Sequence, residues 1–245
     1  MLLAFETSSN TCGAALWTDG SVVAEAHIHR PRIHARYLTP LAEQVLEQGG
    51  GSARELDAVA VSMGPGSYTG LRIGVSTAKG FSMATGATLV GVPTLEALAA
   101  TVLPCAADED VICALLDARR DEVYAAAYLV QPTLVQRTTR RKPSGEKYIV
   151  GLSRLVVHAA ADAMEVRQLP DWLDAAGNRV WMVGNGAAKS LDMLRSDHIT
   201  RVIPDDVATP SAAWVARCAA YRLMRGHTGE SDTFEPMYLK AFHTG

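Results

Sequence analysis

Apolar runs and polar turns alternate along the first part of the chain, and their period switches between that of strands and that of helices. Leu2–Phe5 is a continuous apolar run and predicts a buried strand. A polar turn follows, Thr7-Ser8-Ser9-Asn10. Gly13–Trp17 predicts a second strand, Asp19-Gly20 a hairpin turn and Ser21–Ile28 a third strand. Leu38, Leu41, Ala42 and Val45 then recur at helical spacing, and Gly49-Gly50-Gly51 closes that helix. Ala58–Met63 reads as a strand, 69–86 as a helix, Thr88–Val92 as a strand and Thr94–Leu103 as a helix. The order is βββαβαβα.

After an acidic, loop-like stretch at Pro104–Asp110 the pattern restarts. Leu2-Leu3-Ala4-Phe5-Glu6 has its echo in Cys113-Ala114-Leu115-Leu116-Asp117, each an apolar strand ending in a carboxylate. Gly13–Trp17 starts seven residues after Glu6, and Tyr124–Tyr128 seven after Asp117, an offset of 111 at both landmarks. Downstream, Val59–Met63 runs into Gly64-Pro65-Gly66, and Val180–Val183 into Gly184-Asn185-Gly186, with the offset grown to 120. Repeated landmarks in one order indicate an internal duplication with a small insertion. The implied fold is α/β: duplicated ribonuclease-H-like βββαβα halves of the actin/Hsp70/sugar-kinase superfamily. The halves are expected at 1–106 and 107–245, facing each other across a cleft. The insertion falls near Arg137–Gly151, with Arg137, Arg140, Arg141, Lys142 and Lys147 against one acid, Glu146. It reads either as a solvated surface loop or as a patch touching RNA phosphates.

Composition narrows the class. The 245 residues are 48% hydrophobic and carry a net charge of −3, so binding to nucleic acid by bulk charge is not indicated. Cys12, Cys105, Cys113 and Cys218 lie too far apart for zinc-ligand spacing or a disulfide framework. The start lacks the basic region of a signal peptide, and no apolar run approaches the roughly 20 residues of a membrane span. A soluble, reduced, cytoplasmic protein is expected, with no membrane contact.

GPGSYTGLRIG, residues 64–74, is the motif that decides the chemistry. It is not a Walker loop, because Gly70 is followed by Leu71-Arg72 instead of Lys-Ser/Thr. It is not a Rossmann fingerprint, because three residues separate Gly66 from Gly70 and Pro65 has no backbone donor. Gly70, Gly74, Ala78, Ser82 and Gly86 repeat every four residues and put a stripe of very small side chains on one helix face. A helix glycine costs about 0.5–1 kcal/mol relative to alanine, so close approach of a neighbour is the offsetting gain. Leu71, Val75 and Phe81 flank the stripe. The neighbour is the protein's own sheet or another subunit; spacing alone leaves both open.

Other constellations are sparse. His27, His29 and His34 form His-x-His-x4-His, read as a hairpin edge and helix start before a metal site. Glu6 and Asp117 are candidates to hold a metal or a phosphate, or simply to bond the turns after them. Thr7, Ser8, Gly184 and Gly186 are the weak candidates for a nucleotide, and Ser9 and Thr11 share the same turn. No activated nucleophile pair and no catalytic residue are visible.

These motifs carry a resemblance. LLAFETSSNTCGAAL, GPGSYTGLRIG, LVGVPTLEALA, LLDARRDEVYAA, VGNGA and PMYLKAF run from residue 2 to about 242 and are similar to the bacterial TsaB (YeaZ-like) family of threonylcarbamoyladenosine biosynthesis proteins. The resemblance implies a non-catalytic partner of TsaD, which forms N6-threonylcarbamoyladenosine at position 37 of tRNAs reading ANN codons. TsaD carries His-x-x-x-His for its metal, and the matching positions here are Thr94 and Leu98. The resemblance further implies that this chain needs no cofactor or metal, and that ATP and metal are used by partner subunits. A TsaD-like catalytic subunit, a TsaE-like ATPase, a homodimer when alone, and tRNA reached indirectly are its expected partners. It places the partner interface on helices 35–48 and 69–86, at Leu38, Leu41, Val45, Gly70, Leu71, Gly74, Val75, Ala78 and Ser82. An ATP-binding kinase-like protein of the same superfamily and a metallopeptidase are the alternatives. Lys240 stands where the family has an arginine, and Glu6 where many relatives have aspartate.

Overall fold

The computed structural model describes residues 1–131, 155–176, 179–189, 199–228 and 233–240. The first sheet contains β1 (Leu2–Glu6), β2 (Thr11–Thr18), β3 (Ser21–His29), β4 (Ala58–Gly64) and β5 (Thr88–Pro93), in the order β3-β2-β1-β4-β5. β1 is antiparallel to β2 and parallel to β4. It lies mid-sheet with both faces covered, which explains its unbroken apolar run. β3 is an edge strand, and its exposure alternates residue by residue. Asp19 and Gly20 both have positive φ, 49° and 81°, as a tight hairpin turn requires.

Two helices cover one face of this sheet, α1 (His34–Gln48) and α2 (Tyr68–Thr85). Leu3, Phe5, Leu16, Val59, Val61 and Leu89 form one core with Leu38, Leu41 and Val45 of α1 and with Val75 and Ala78 of α2. The opposite face carries small residues, among them Ala4, Gly13, Ala15 and Ala60. Against it lies a helix from far along the chain, α5 (Ala212–Met224), whose alanines are buried. A Cβ on Gly13 would stand 3.6 Å from that of Ala212. Ser211 caps this helix by accepting from Trp214 N, and Glu25 of β3 accepts from Ala213 N at 3.1 Å. A short helix, α3 (Thr94–Ala100), follows β5 and gives way to turns before residue 103, so it ends earlier than its apolar pattern suggests.

The second sheet repeats the first. β6 (Val111–Asp117), β7 (Glu122–Val130), β8 (Leu155–Glu165), β9 (Arg179–Val183) and β10 (Ile199–Val202) are ordered β10-β9-β6-β7-β8. An antiparallel meander again gives way to two parallel strands. Leu169 and Leu173 of α4 (Leu169–Ala176) pack on Val111, Cys113, Leu115 and Met182. The fold is therefore the duplicated α/β plan expected from the two landmarks. One register differs. Glu6 pairs with Gly13, but Asp117 pairs with Val123, so the second hairpin is one residue tighter than the offset of 111 implies.

The chain does not divide into two continuous lengths. Among the described residues, one unit comprises Met1–Ala97 and the return segment Pro210–Tyr238; the other comprises residues from Leu98 to Thr209 and the chain from Leu239. The expected boundary at 106 omits that return, because the alanine face of α5 matches the flat, small-residue face of the first sheet. The basic segment 137–147 lies outside the described residues.

In the second unit Asp110 is almost fully buried and gathers three bonds. It accepts from Trp181 Nε1 and Ala107 N, each at 2.8 Å, and pairs with Arg179 Nε at 2.6 Å. Burial alone would raise this carboxyl, but these partners outweigh it and hold it below the usual aspartate range.

Candidate functional site

The GPGSYTG segment is a joint between β4 and α2. The Gly64–Pro65 peptide bond is cis, and Ser67 caps α2 by accepting from Gly70 N at 3.3 Å. Ser67 N donates to Ser8 O at 2.7 Å, which ties the joint to the turn after β1. Gly64 has φ +118°, and a Cβ there would run into the carbonyl of Met237. Gly184 repeats the geometry in the second unit, with φ +100° and the Leu115 carbonyl in the same position.

The small-residue stripe of α2 is filled by the chain itself. A Cβ on Gly70 would overlap the carbonyl of Thr7, and one on Gly74 would overlap Thr7 Oγ1. Leu71, Val75, Ala78 and Ser82 are buried beside them, and Ser82 Oγ donates to Ala87 O at 2.7 Å. Gly86 lies just past the helix as its left-handed cap. On α1, Leu38, Leu41 and Val45 are likewise buried. All nine residues expected at a partner surface are thus buried within the first unit. The spacing reported close approach correctly, but the approaching group is the β1–β2 turn.

The side of α2 turned to solvent has a second repeat. Ser76, Gly80 and Ala84 recur every four residues, two positions out of phase with the inward stripe and so nearly opposite to it. All three are exposed, a Cβ on Gly80 would meet nothing within 4 Å among the described residues, and Met83 beside them is 71% exposed. Thr69 and Arg72 extend this face toward the helix start, with Ile73 half-buried. α1 contributes exposed Arg36, Thr39, Glu43 and Glu47. This outward face was legible in the same helix, but apolar periodicity hides it because its members are small or polar.

The C-terminal stretch entered the sequence reading only through the motif PMYLKAF, and its contacts were not foreseen. Met237 N donates to Met63 O at 2.6 Å, and Lys79 Nζ donates to Phe234 O at 3.3 Å. The Tyr238 ring lies 4.9 Å from that of Tyr68, whose hydroxyl accepts from Arg72 Nη1 at 2.9 Å.

The polar candidates are largely spoken for. Glu6 is fully buried; its Oε1 accepts from Ser8 N at 2.6 Å and Ser8 Oγ at 2.5 Å. Among the described residues its Oε2 has no hydrogen-bond partner, and burial pushes the carboxyl above its usual range despite the bonds from Ser8. Asp117, in the second unit, is exposed and bonded to Lys189 and to Arg119 N. A Cβ on Gly186 would lie 2.9 Å from the Leu115 carbonyl carbon, so the turn sits directly on β6. A cavity of about 470 Å³ in this unit is lined by Asp121, Glu165, Val166, Arg167 and Lys189, with Arg167 paired to Glu165 and Lys189 to Asp117. His27 and His29 stack edge-on at 4.7 Å along β3, whereas His34 is buried and donates from Nε2 to Thr11 O at 3.1 Å. Among the described residues no group of three or more His, Cys, Asp or Glu is placed to hold a metal. Thr94 and Leu98 are fully buried. Among the described residues no helix is long and apolar enough to cross a membrane.

Residues 26–241 match the family model "TsaD: tRNA N6-adenosine threonylcarbamoyltransferase". The chain belongs to this family, on its TsaB (YeaZ-like) side. It is 29% identical to the tRNA threonylcarbamoyladenosine biosynthesis protein TsaB of Escherichia coli K12, over 98% of this chain and 94% of that protein. YeaZ from Pseudomonas aeruginosa superposes with a TM-score of 0.77 at 25% identity, over 97% of this chain and 99% of that one. A tRNA N6-adenosine threonylcarbamoyltransferase of Solidesulfovibrio magneticus is 37% identical, over 42% of this chain and 32% of that protein. TsaB and YeaZ proteins thus match the chain nearly end to end, and the transferase shares only part of it. The family's concern is threonylcarbamoyladenosine biosynthesis.

Proposed function

We infer that this chain is a non-catalytic subunit that binds a TsaD-like catalytic subunit and supports it in forming N6-threonylcarbamoyladenosine at position 37 of tRNAs reading ANN codons. The observation that carries the reading is the outward face of α2. Ser76, Gly80 and Ala84 leave a shallow groove with exposed Met83 at its side. A helix of the partner can approach such a face closely, because no long side chain separates the axes. The interface therefore uses these residues with Thr69, Arg72 and Ile73, and the adjacent exposed side of α1. Alone, the chain pairs with a second copy through the same face.

Two buried residues support the absence of catalysis. Thr94 and Leu98 match the positions where TsaD carries its metal-binding imidazoles; neither side chain can replace an imidazole, and both are sealed from solvent. ATP and metal are then used by the partner subunits, including a TsaE-like ATPase, and tRNA is met through the assembled complex in the cytoplasm.

Sedimentation velocity of the chain with an equimolar TsaD-like subunit from the same organism tests this. A new mixed species is expected for the wild type and not for Gly80→Arg, whose own fold is unchanged. Association of Gly80→Arg at wild-type strength would overturn the proposed face.

A further inference from the structure

Residues 233–238 form neither helix nor strand, yet they are fixed at several points along their length. The Phe234 ring covers Gly91 of β5, with ring atoms 2.6 and 2.7 Å from where a Cβ would stand, and it joins the core of the first sheet. Its carbonyl accepts from Lys79 in the middle of α2. Met237 bonds through N to Met63 at the end of β4, and its carbonyl lies against Gly64, where only hydrogen fits. The Tyr238 ring rests on Tyr68, the first residue of α2, with Arg72 over the same Tyr68 ring. The segment therefore reaches from the edge strand β5, past the end of β4, to the start of the docking helix. Two glycines, at 64 and 91, make room for it.

We propose that residues 233–238 are a clasp that sets the position of α2, so that seating of the clasp governs docking on the outward face. The inference rests on the docking reading above. The inward stripe of α2 gives close contact with the β1–β2 turn but few interlocking side chains, and ridges-into-grooves packing holds a helix laterally only where side chains interdigitate. The joint before the helix, Gly64-Pro65-Gly66, has no long side chain to stiffen it. The clasp supplies what these lack. It grips the first turn through Tyr238 and Tyr68, and the middle of the helix through Lys79. Both anchor residues lie beside the groove that the partner must enter.

The full chain carrying Phe234→Ala tests the proposal by amide hydrogen exchange and by titration with the TsaD-like subunit. Exchange at the start of α2 is expected to quicken by about tenfold or more, while β1 and β4 keep their protection. Affinity for the partner is expected to fall by about tenfold or more. Unchanged exchange in α2, or a loosened α2 that still binds within about twofold of wild type, overturns the clasp. Should Phe234→Ala strip protection from β1 and β4 as well, Tyr238→Ala, which alters only the surface ring pair, is judged by the same two readouts. Gly80→Arg separates the two ideas. If Gly80→Arg loses the partner and the clasp variants keep it, the clasp alone is wrong; if all of them bind like wild type, the docking face is wrong as well.

Discussion

Thr7 Oγ1 occupies the space that a Cβ on residue 74 would need. This contact joins the turn after the first strand to the second turn of α2. It explains a glycine inside a helix, where it would otherwise cost about 0.5–1 kcal/mol.

Gly74→Leu therefore acts on folding. A side chain at this position must push the Thr7 turn off α2, and overpacking of this kind costs about 3 kcal/mol. The urea midpoint should fall accordingly, with the slope unchanged. A Gly74→Leu protein as stable as wild type would mean that the turn yields freely.

Gly80→Ala should move stability the other way. Among the described residues nothing lies within 4 Å of the new methyl group, and the position is mid-helix and exposed. A gain of about 0.5–1 kcal/mol is expected from the lost flexibility of the unfolded chain and the better helix propensity. Opposite signs for alanine at 74 and at 80, measured by the same denaturation, verify the two-faced reading of α2.

Glu6 gives the protein a pH dependence of definite sign. Its carboxyl is raised in the folded state by burial, from an ordinary value of 4.5. Its contribution is fully present below that value and is lost as pH rises toward the folded one. Glu6→Gln keeps an oxygen to accept from Ser8 and cannot ionise. The variant should gain on wild type as pH rises from about 5 to about 8. Unfolding curves of both proteins at the two ends of this range should show the gap widening; a constant gap would mean that Glu6 ionises in place at little cost.

Asp110 behaves in the opposite sense. Its folded carboxyl is lowered, so its contribution is present above the ordinary value of 3.8 and is lost as pH falls through the folded one. Asp110→Asn should cost about 1.5–3 kcal/mol at neutral pH, typical of hydrogen bonds to a charged group, and less in acid. Trp181 fluorescence reports the same site, because its indole N–H donates to this carboxyl.

The fold was legible because its signals are local and repeated. Buried central strands such as Leu2–Glu6 read as apolar runs, Asp19-Gly20 fixed its hairpin, and the two places where a strand runs into Gly-x-Gly marked the duplication. The return of α5 was not legible, since an alanine-rich helix looks alike whichever sheet it covers. What the stripe of α2 meets was not legible for a related reason. A stripe of small residues records that something comes close, and Thr7 and Ser8, already quoted in the sequence, turned out to be that something. The clasp left no periodic trace, because a segment held by backbone bonds and two aromatic rings has no pattern to repeat.

The place of α5 in the first unit also bears on how the chain is made. The second face of the opening sheet waits for Ala212–Met224, so it stays bare until that helix has left the ribosome. Throughout that interval the nascent first unit displays an uncovered apolar surface, a state prone to association and suited to chaperone binding. Folding of the first unit is thus completed only once Ala212–Met224 has been made.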